Sequence, residues 1–257
     1  MTKDKLDVIL FFMEKRQNVA AIILAAGKGI RMQSDLPKVF HKLKGKPLLQ
    51  HVIETVQKSG IDKIYIVVGY KKEIIVDYFK NWPVKFIIQE NQLGTGDAVK
   101  TAKPYLSDFD GTVLVLAGDV PLLSKETLQK LLGFHNEHKA AATDLTAELP
   151  DAGNYGRVIR NSDGEIIKIV EKKDASEAEL KRKEINTGTF CFNSKDLFDS
   201  LLKVEPLNAQ KEYYLTDTIE ILKKAKRPVF AFLAFDYRET LGINTKEELA
   251  DLEKMVS

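Results

Sequence analysis

The sequence predicts an α/β fold in which a mostly parallel central sheet is covered by helices on both faces. Three observations support this prediction. The chain has 257 residues, of which 44% are hydrophobic and 30% charged, ordinary values for a globular protein. From Val19 onward, short β-branched runs alternate with helical patterns, as in βαβ units. The predicted strands are nearly all apolar, which is typical of strands that are buried on both sides.

The first half of the chain carries the clearest alternation. The strands are predicted at residues 19–24, 63–68, 84–89 and 112–116. The helices between and after them are predicted at residues 48–59, 72–80, 95–103 and 125–135. Ligands of open α/β sheets bind at the carboxyl ends of the strands, so functional residues are expected just after each strand.

Past Ala140 the pattern changes. Residues 156–159 and 166–172 flank an Asp163-Gly164 turn and predict a hairpin. The densely charged segment 174–184 predicts a solvent-exposed helix or a loop that extends from the domain. Further strands are predicted at residues 187–192 and 229–234, and further helices at 214–225 and 245–255.

No linker rich in Gly, Ser or Pro divides the chain, and we therefore predict one domain over residues 19–257. Its second half is expected to add a subdomain to the same sheet. Residues 1–18 are predicted to be an N-terminal leader with a helical apolar stripe at Leu6, Ile9, Leu10 and Met13. No cleavage site suited to a signal peptide follows this stripe.

Composition excludes several functional classes. The formal net charge of +2 argues against a nucleic-acid partner held by a broad basic face. The single cysteine, Cys191, excludes a disulfide framework and a cysteine-based zinc site. No apolar run reaches the ~20 residues of a membrane span. A cytoplasmic protein without a membrane partner is expected.

The loop after the first strand predicts a phosphate-binding site. Its small residues let backbone N–H groups approach an anion, and three basic residues add positive charge. The small or apolar residues are Leu24, Ala25, Ala26, Gly27 and Gly29, and the basic residues are Lys28, Arg31 and Lys38. The spacing fits neither the dinucleotide loop G-x-G-x-x-G nor the P-loop. On glycine spacing alone, a tight turn with surface cations remains an alternative.

The whole string L-A-A-G-K-G-I-R-M, followed by Pro37-Lys38, closely resembles the signature of the sugar-nucleotide pyrophosphorylases. Further blocks of that signature follow in order: Gln89 with Gln92–Gly96, Ala117–Asp119, Asn154–Arg157, Glu171–Asp174, Glu184–Gly188 and Gly242–Asn244. Within the family, the chain is similar to the pyrophosphorylase half of a bifunctional bacterial enzyme. The resemblance implies a Rossmann-like nucleotide-diphospho-sugar transferase fold with an embedded sugar-binding subdomain.

A metal site is expected where the fourth strand ends. Asp119 follows Gly118 there, and a carboxylate at a strand end suits a hard cation as well as it suits a turn. The resemblance implies that Asp119 and Asn244 hold Mg²⁺. Alternatively, Asn244 caps the helix that follows it, and the two roles are compatible.

Two further groups of residues are expected to bind the substrates. Gln89 presents an amide donor and acceptor side by side, which matches the imide edge of uracil. The resemblance implies that Gln89, Ala25 and Gly94 meet the base and that Thr95 meets phosphate or sugar. It implies that Gly156, Glu171 and Asn186 meet the sugar. Taken alone, Glu171 opens a lysine-rich run that is typical of a solvated face. At Ala117, where the family often has an aromatic residue, one contact to the nucleotide sugar is lost.

The resemblance implies Mg²⁺-dependent transfer from UTP to N-acetylglucosamine 1-phosphate, with Arg31, Lys38 and Asp119 as catalytic residues. The sugar phosphate is already anionic, so no general base is needed. Lys38 is expected to stabilise the α-phosphate or the attacking phosphate. Lys28 and Arg31 are expected to bind the leaving pyrophosphate. Two alternatives remain: the same chemistry on another sugar 1-phosphate or nucleotide, and a non-catalytic nucleotide-sugar-binding module.

The other activity of the bifunctional enzyme is not expected in this chain. The resemblance places acetyl transfer on a β-helix of hexapeptide repeats, and this sequence has no such periodicity. Trimerisation also belongs largely to that β-helix, so a monomer or a weak homo-oligomer is expected.

Overall fold

The structure is a computed structural model that describes residues 18–255. The strands are β1 Val19–Ala25, β2 Lys42–Leu43, β3 Lys46–Pro47, β4 Lys63–Val68, β5 Lys85–Ile88, β6 Thr112–Ala117, β7 Ala142–Glu148, β8 Arg157–Arg160, β9 Ile166–Val170, β10 Glu184–Asn193 and β11 Val229–Leu233. The α-helices are α1 Leu48–Lys58, α2 Lys72–Phe79, α3 Thr95–Lys100, α4 Lys125–Glu137, α5 Glu177–Leu180, α6 Ser194–Leu201, α7 Asp217–Lys224 and α8 Lys246–Met255. The apolar stripe of the predicted leader lies outside the described residues.

The central sheet has the strand order β11-β7-β10-β6-β1-β4-β5. Strand β1 pairs in parallel with both β4 and β6, and β5 and β11 also join the sheet in parallel. Strand β10 runs antiparallel to its neighbours β6 and β7. The β8–β9 hairpin attaches to β10 through β8. The predicted mostly parallel sheet is therefore confirmed.

Each face of the sheet buries its own apolar core beneath helices. On one face, side chains of α1, α2 and α4 pack on the strands, among them Ile53, Phe79 and Leu131. On the other face, α3, α6 and α7 contribute Val99, Leu197 and others. Because both faces are covered, the central strands are apolar on both sides, as the sequence predicts.

The chain changes direction between β1 and β6, and this position determines where a ligand can bind. From β1 the chain builds outward to β4 and β5, then returns to form β6 on the other side of β1. Such a switch point opens a crevice at the carboxyl ends of the two strands. Leu24 at the end of β1 pairs with Ala117 at the end of β6, so the two loops that follow start side by side.

A third apolar cluster holds the C-terminal part of the domain against the loop that follows β1. It joins Met32 and Leu48 to Ile243 and Leu252, all of them buried. Ile243 directly precedes Asn244, so this packing places Asn244 near residues that lie more than 200 positions earlier in the chain.

Several predicted elements differ from those observed. Strand β7 was not predicted, because Thr143, Asp144 and Thr146 interrupt its apolar pattern although all three are buried. Helix α6 was not predicted either, because it follows β10 directly, with no Gly or Pro between them to indicate a turn. Asn193, the last residue of β10, caps this helix: its side-chain oxygen accepts hydrogen bonds from the N–H groups of Lys195 and Asp196.

Other predicted elements are shorter in the structure. The helix predicted at 95–103 ends at Lys100, and a separate 3₁₀ turn that contains Pro104 follows at Lys103–Tyr105. The helix predicted at 214–225 begins at Asp217, and the charged segment 174–184 contains only the four-residue helix α5. Over residues 18–255, no helix is both long and apolar enough to cross a membrane.

Candidate active site

Two cavities lie side by side at the carboxyl ends of β1 and β6. The loop cavity, of about 300 Å³, is lined by Leu24–Gly27, Gln89, Gly94 and Thr95, among others. The hairpin cavity, of about 490 Å³, is lined by Gly156, Glu171, Asn186 and Asn244, among others. Ala117 and Asp119 line both cavities. A ligand that fills both would therefore pass Asp119.

The loop after β1 places Lys38 in close contact with Gly29. Gly29 has a φ of +65°, which side chains other than glycine rarely adopt. A Cβ at Gly29 would lie 2.5 Å from the Cβ of Lys38. Glycine is therefore required at this position, because any side chain would displace Lys38 from the loop cavity, which it lines.

Four polar side chains converge where the two cavities meet. The ammonium of Lys38 donates to Oδ2 of Asp119 and, over 3.1 Å, to Oδ1 of Asn244. Arg31 donates to the same Asn244 oxygen over 3.0 Å. Asp119 is only 7% exposed, and the N–H of Ile243 donates to its backbone carbonyl over 3.0 Å. A backbone hydrogen bond between the segment after β6 and the segment before α8 thus holds this group together.

The oxygen atoms of this group fit a magnesium ion. Mg²⁺ prefers oxygen ligands and usually takes one or two from the protein, with the rest from water and substrate phosphates. The carboxylate of Asp119 and the amide oxygen of Asn244 already share one cation, the Lys38 ammonium. No cluster of three or more His, Cys, Asp or Glu suited to a metal occurs in the part of the chain that the structure describes.

The far end of the loop cavity is built by Gln89 and the turn before α3. Gln89 follows β5 and is 3% exposed. Its amide nitrogen donates to Oδ2 of Asp97 over 2.7 Å and to the carbonyl of Gly94 over 3.3 Å. The hydroxyl oxygen of Thr95 accepts from the N–H of Leu215 over 3.0 Å, so Thr95 also ties this turn to the segment before α7.

The hairpin cavity places a carboxylate and an amide on one wall. Asn186 lies at a bulge of β10, where its side-chain oxygen accepts from the N–H of Gly188 over 2.8 Å. This bond does not use its amide nitrogen, which can donate to a ligand. Glu171 accepts a hydrogen bond from Thr216 over 3.3 Å, and burial raises the pKa of Glu171 above its ordinary value. A Cβ at Gly156 would lie 3.3 Å from the Glu171 carboxylate.

Some predicted site residues lie apart from the cavity walls. Lys28, Gly29 and Gly118 line neither cavity. Lys28 is exposed, and its ammonium lies 5.4 Å from the ring centre of Tyr70. Arg31 lines the hairpin cavity and not the loop cavity. Gly118 packs beneath the loop and donates its N–H to the carbonyl of Leu24 over 2.9 Å.

The structure also adds site residues to those predicted from the sequence. Tyr155 lines the hairpin cavity, and its hydroxyl accepts from the N–H of Gly242 over 2.9 Å. Glu212 lines the loop cavity, and its neighbour Tyr213 accepts from Gly96 and donates to Leu93, both over 2.8 Å. In the sequence, this part of the cavity wall is marked only by the glutamate and two tyrosines at 212–214. Such residues are also typical of a segment that leads into a helix, so they do not indicate a binding site.

Known proteins resemble this chain in sequence and in fold. A family model described as nucleotidyl transferase matches residues 20–238. The chain is 48% identical over 236 residues to the bifunctional protein GlmU of Streptococcus uberis, covering 92% of this chain and 51% of that protein. It is 47% identical over 235 residues to the bifunctional protein GlmU of Brevibacillus brevis, covering 91% and 51%. The chain spans about half the length of these relatives, as predicted from its resemblance to one half of a bifunctional enzyme.

Two solved structures share the fold. UDP-glucose pyrophosphorylase complexed with UDP-glucose has a TM-score of 0.74 at 18% identity, covering 92% of this chain and 97% of that one. HddC from Yersinia pseudotuberculosis has a TM-score of 0.68 at 24% identity, covering 93% and 99%. At such identities the likeness shows the fold alone, and it confirms the predicted fold class. With its family match over most of its length, the chain belongs to the nucleotidyl transferase family.

Proposed function

We propose that this chain transfers a uridylyl group from UTP to N-acetylglucosamine 1-phosphate, giving UDP-N-acetylglucosamine and pyrophosphate. One observation carries the proposal: the loop cavity and the hairpin cavity meet at Asp119. A nucleotide in the first cavity and a sugar phosphate in the second would bring their phosphates together there. The relatives named GlmU support this choice among the activities of the family.

The chemical difficulty of this reaction is charge, because one phosphate anion must attack the α-phosphorus of another. The attacking oxygen carries no proton that must be removed, so catalysis is expected to come from positioning and electrostatic stabilisation. Asp119 and Asn244 would hold Mg²⁺, which supplies positive charge to the phosphate oxygens. Lys38 would turn its ammonium to the α-phosphate or the attacking phosphate.

The remaining residues have roles that follow from their placement. The backbone of the loop after β1 would cradle the triphosphate. Arg31 lies on the hairpin side and is suited to the phosphate of the sugar, or to pyrophosphate as it leaves. Glu171 as an acceptor and the Asn186 amide as a donor would bind sugar hydroxyls. We further propose a cytoplasmic protein that acts as a monomer or a weak homo-oligomer, with no nucleic-acid or membrane partner.

The test is pyrophosphate release from a panel of sugar 1-phosphates against UTP, CTP, dTTP and ATP, with Mg²⁺ and after its removal by chelation. Release with UTP and N-acetylglucosamine 1-phosphate is expected to exceed that with any other pair by at least about tenfold. Asp119→Asn should abolish release, whereas Asp163→Asn, at the exposed tip of the β8–β9 hairpin, should not.

Each alternative predicts a different result in this panel. A higher rate with another sugar phosphate or nucleotide would replace the proposed substrates. Undiminished release after chelation would contradict the assignment of Mg²⁺ to Asp119 and Asn244. Nucleotide-sugar binding without any release would identify a non-catalytic module.

A further inference from the structure

The amide of Gln89 has only one orientation that satisfies its neighbours. A carboxylate and a carbonyl can only accept hydrogen bonds, so the groups that face Asp97 and Gly94 must be donors. The two N–H bonds of the Gln89 amide point to these two oxygens, over 2.7 Å and 3.3 Å. Both amide donors are therefore used within the chain, and the oxygen Oε1 is the group left for a ligand.

This arrangement changes what the cavity can recognise. A free amide offers both a donor and an acceptor, and it can pair with most bases by turning over. An amide held by Asp97 offers an acceptor only. Uracil and thymine carry an N–H at ring position 3 that can donate to it, whereas cytosine carries an unprotonated acceptor at the same position.

We propose that Asp97 is a positioning residue that fixes the Gln89 amide with its oxygen towards the base, so that the cavity selects bases with a ring N–H over cytosine. The inference rests on the proposed function, because it assumes that the loop cavity holds the base. Asp97 lies in the first turn of α3 and does not itself line that cavity. It acts through Gln89.

Loss of the carboxylate should free the amide to turn over. In Asp97→Ala, one amide N–H loses its partner, and only the longer bond to the Gly94 carbonyl opposes rotation. The turned amide presents an N–H to the base, which matches the ring acceptor of cytosine. The preference for UTP over CTP should therefore fall, mainly because the affinity for CTP rises relative to that for UTP.

The experiment compares equilibrium binding of UTP and CTP, and kcat/KM for both, in the unmodified chain and in Asp97 variants. The ratio of UTP to CTP is expected to fall about tenfold in Asp97→Ala, the effect of one correctly paired hydrogen bond. Asp97→Asn keeps an oxygen acceptor and should retain most of the preference. Glu90→Ala is the matched control, because exposed Glu90 adjoins Gln89 and bonds Lys72 instead.

The outcomes separate this inference from the proposed function. A parallel loss of affinity for both nucleotides in Asp97→Ala, with an unchanged ratio, would indicate a structural role and overturn the inference. Equal binding of UTP and CTP by the unmodified chain would overturn it too. If Asp97→Ala does not fold, Asp97→Leu preserves the branched shape without an acceptor, and the same ratio decides. Absence of pyrophosphate release with UTP would instead overturn the proposed function.

Discussion

Lys38 is the residue on which the charge balance of the site depends. Its ammonium is shared between Asp119 and Asn244, the two residues proposed to hold Mg²⁺. A lysine side chain can swing from these oxygens to a substrate phosphate, because its charge sits on a flexible stem. Lys38 can therefore neutralise Asp119 before substrates bind and a phosphate afterwards.

Replacement of Lys38 should slow the chemical step more than it weakens binding. In Lys38→Ala the turnover number is expected to fall about 10²–10³-fold, the usual cost of one charge-stabilising donor. Steady-state kinetics of pyrophosphate release measures this, with Lys46→Ala as the control, since Lys46 bonds Glu54 on the surface. An unchanged turnover number in Lys38→Ala would remove Lys38 from the mechanism.

At the scale of elements, the N-terminus of α8 fixes the position of Asn244. The carboxylate of Glu248 accepts from the N–H of Asn244 over 2.6 Å and from that of Thr245 over 3.2 Å. The hydroxyl of Thr245 accepts in return from the N–H of Glu248 over 3.1 Å. This reciprocal cap holds the backbone that directs the Asn244 side chain to Lys38 and Arg31.

Loss of this cap should weaken the metal site. Because a helix cap contributes about 1 kcal/mol, Glu248→Ala is expected to raise the Mg²⁺ concentration for half-maximal rate about fivefold. Glu247→Ala is the matched control, because Glu247 is an exposed acid in the same helical turn. A magnesium titration of the rate distinguishes them. Equal magnesium requirements in the two variants would show that the cap serves the helix alone.

At the scale of the whole molecule, one buried carboxyl opposes folding. Asp144 on β7 is 0% exposed, and neither of its carboxyl oxygens has a hydrogen-bond partner. Burial raises the pKa of Asp144 well above its ordinary value, and the charges of Glu184 and Glu171 add to the increase. The charge of Arg160 lowers the pKa of Asp144, but the Arg160 guanidinium is already paired with Glu184 at 2.6 Å.

This carboxyl makes the stability of the chain depend on pH. The folded chain holds the proton of Asp144 more tightly than the unfolded chain does. The protonated carboxyl therefore contributes its full share to the free energy of unfolding below the unfolded pKa of about 4, and this share is lost as pH rises through the folded pKa. Asp144→Val removes both the proton and the unpaired oxygens. The free energy of unfolding is expected to rise by about 1–3 kcal/mol near neutral pH.

Denaturant unfolding at several pH values measures this effect. The gain from Asp144→Val should grow as pH rises from 4 towards 8, since the variant lacks the loss of stability that Asp144 causes in the unmodified chain over that range. Exposed Asp62, replaced in the same way, should give only a small change in the free energy of unfolding. A gain of equal size at all pH values would show that Asp144 does not carry a raised pKa.

Local patterns in the sequence determined the sheet and the loop after β1. The apolar runs at β1, β4 and β6 predicted those strands to within a residue, because a strand covered on both faces must be apolar throughout. Strand β7 escaped prediction because its buried polar residues resemble a surface pattern. The glycines after β1 and the carboxylate after β6 could be located because ligands bind where such strands end.

Only the tertiary structure decided how these residues meet. Arg31 and Asn244 are 213 positions apart, and they make contact because the cluster around Met32 and Ile243 packs the end of the domain against the loop. The donors of Gln89 are occupied because α3 turns Asp97 towards it. A sequence specifies which groups are available, but hydrogen bonds between distant segments are set by topology and packing, which no local pattern records.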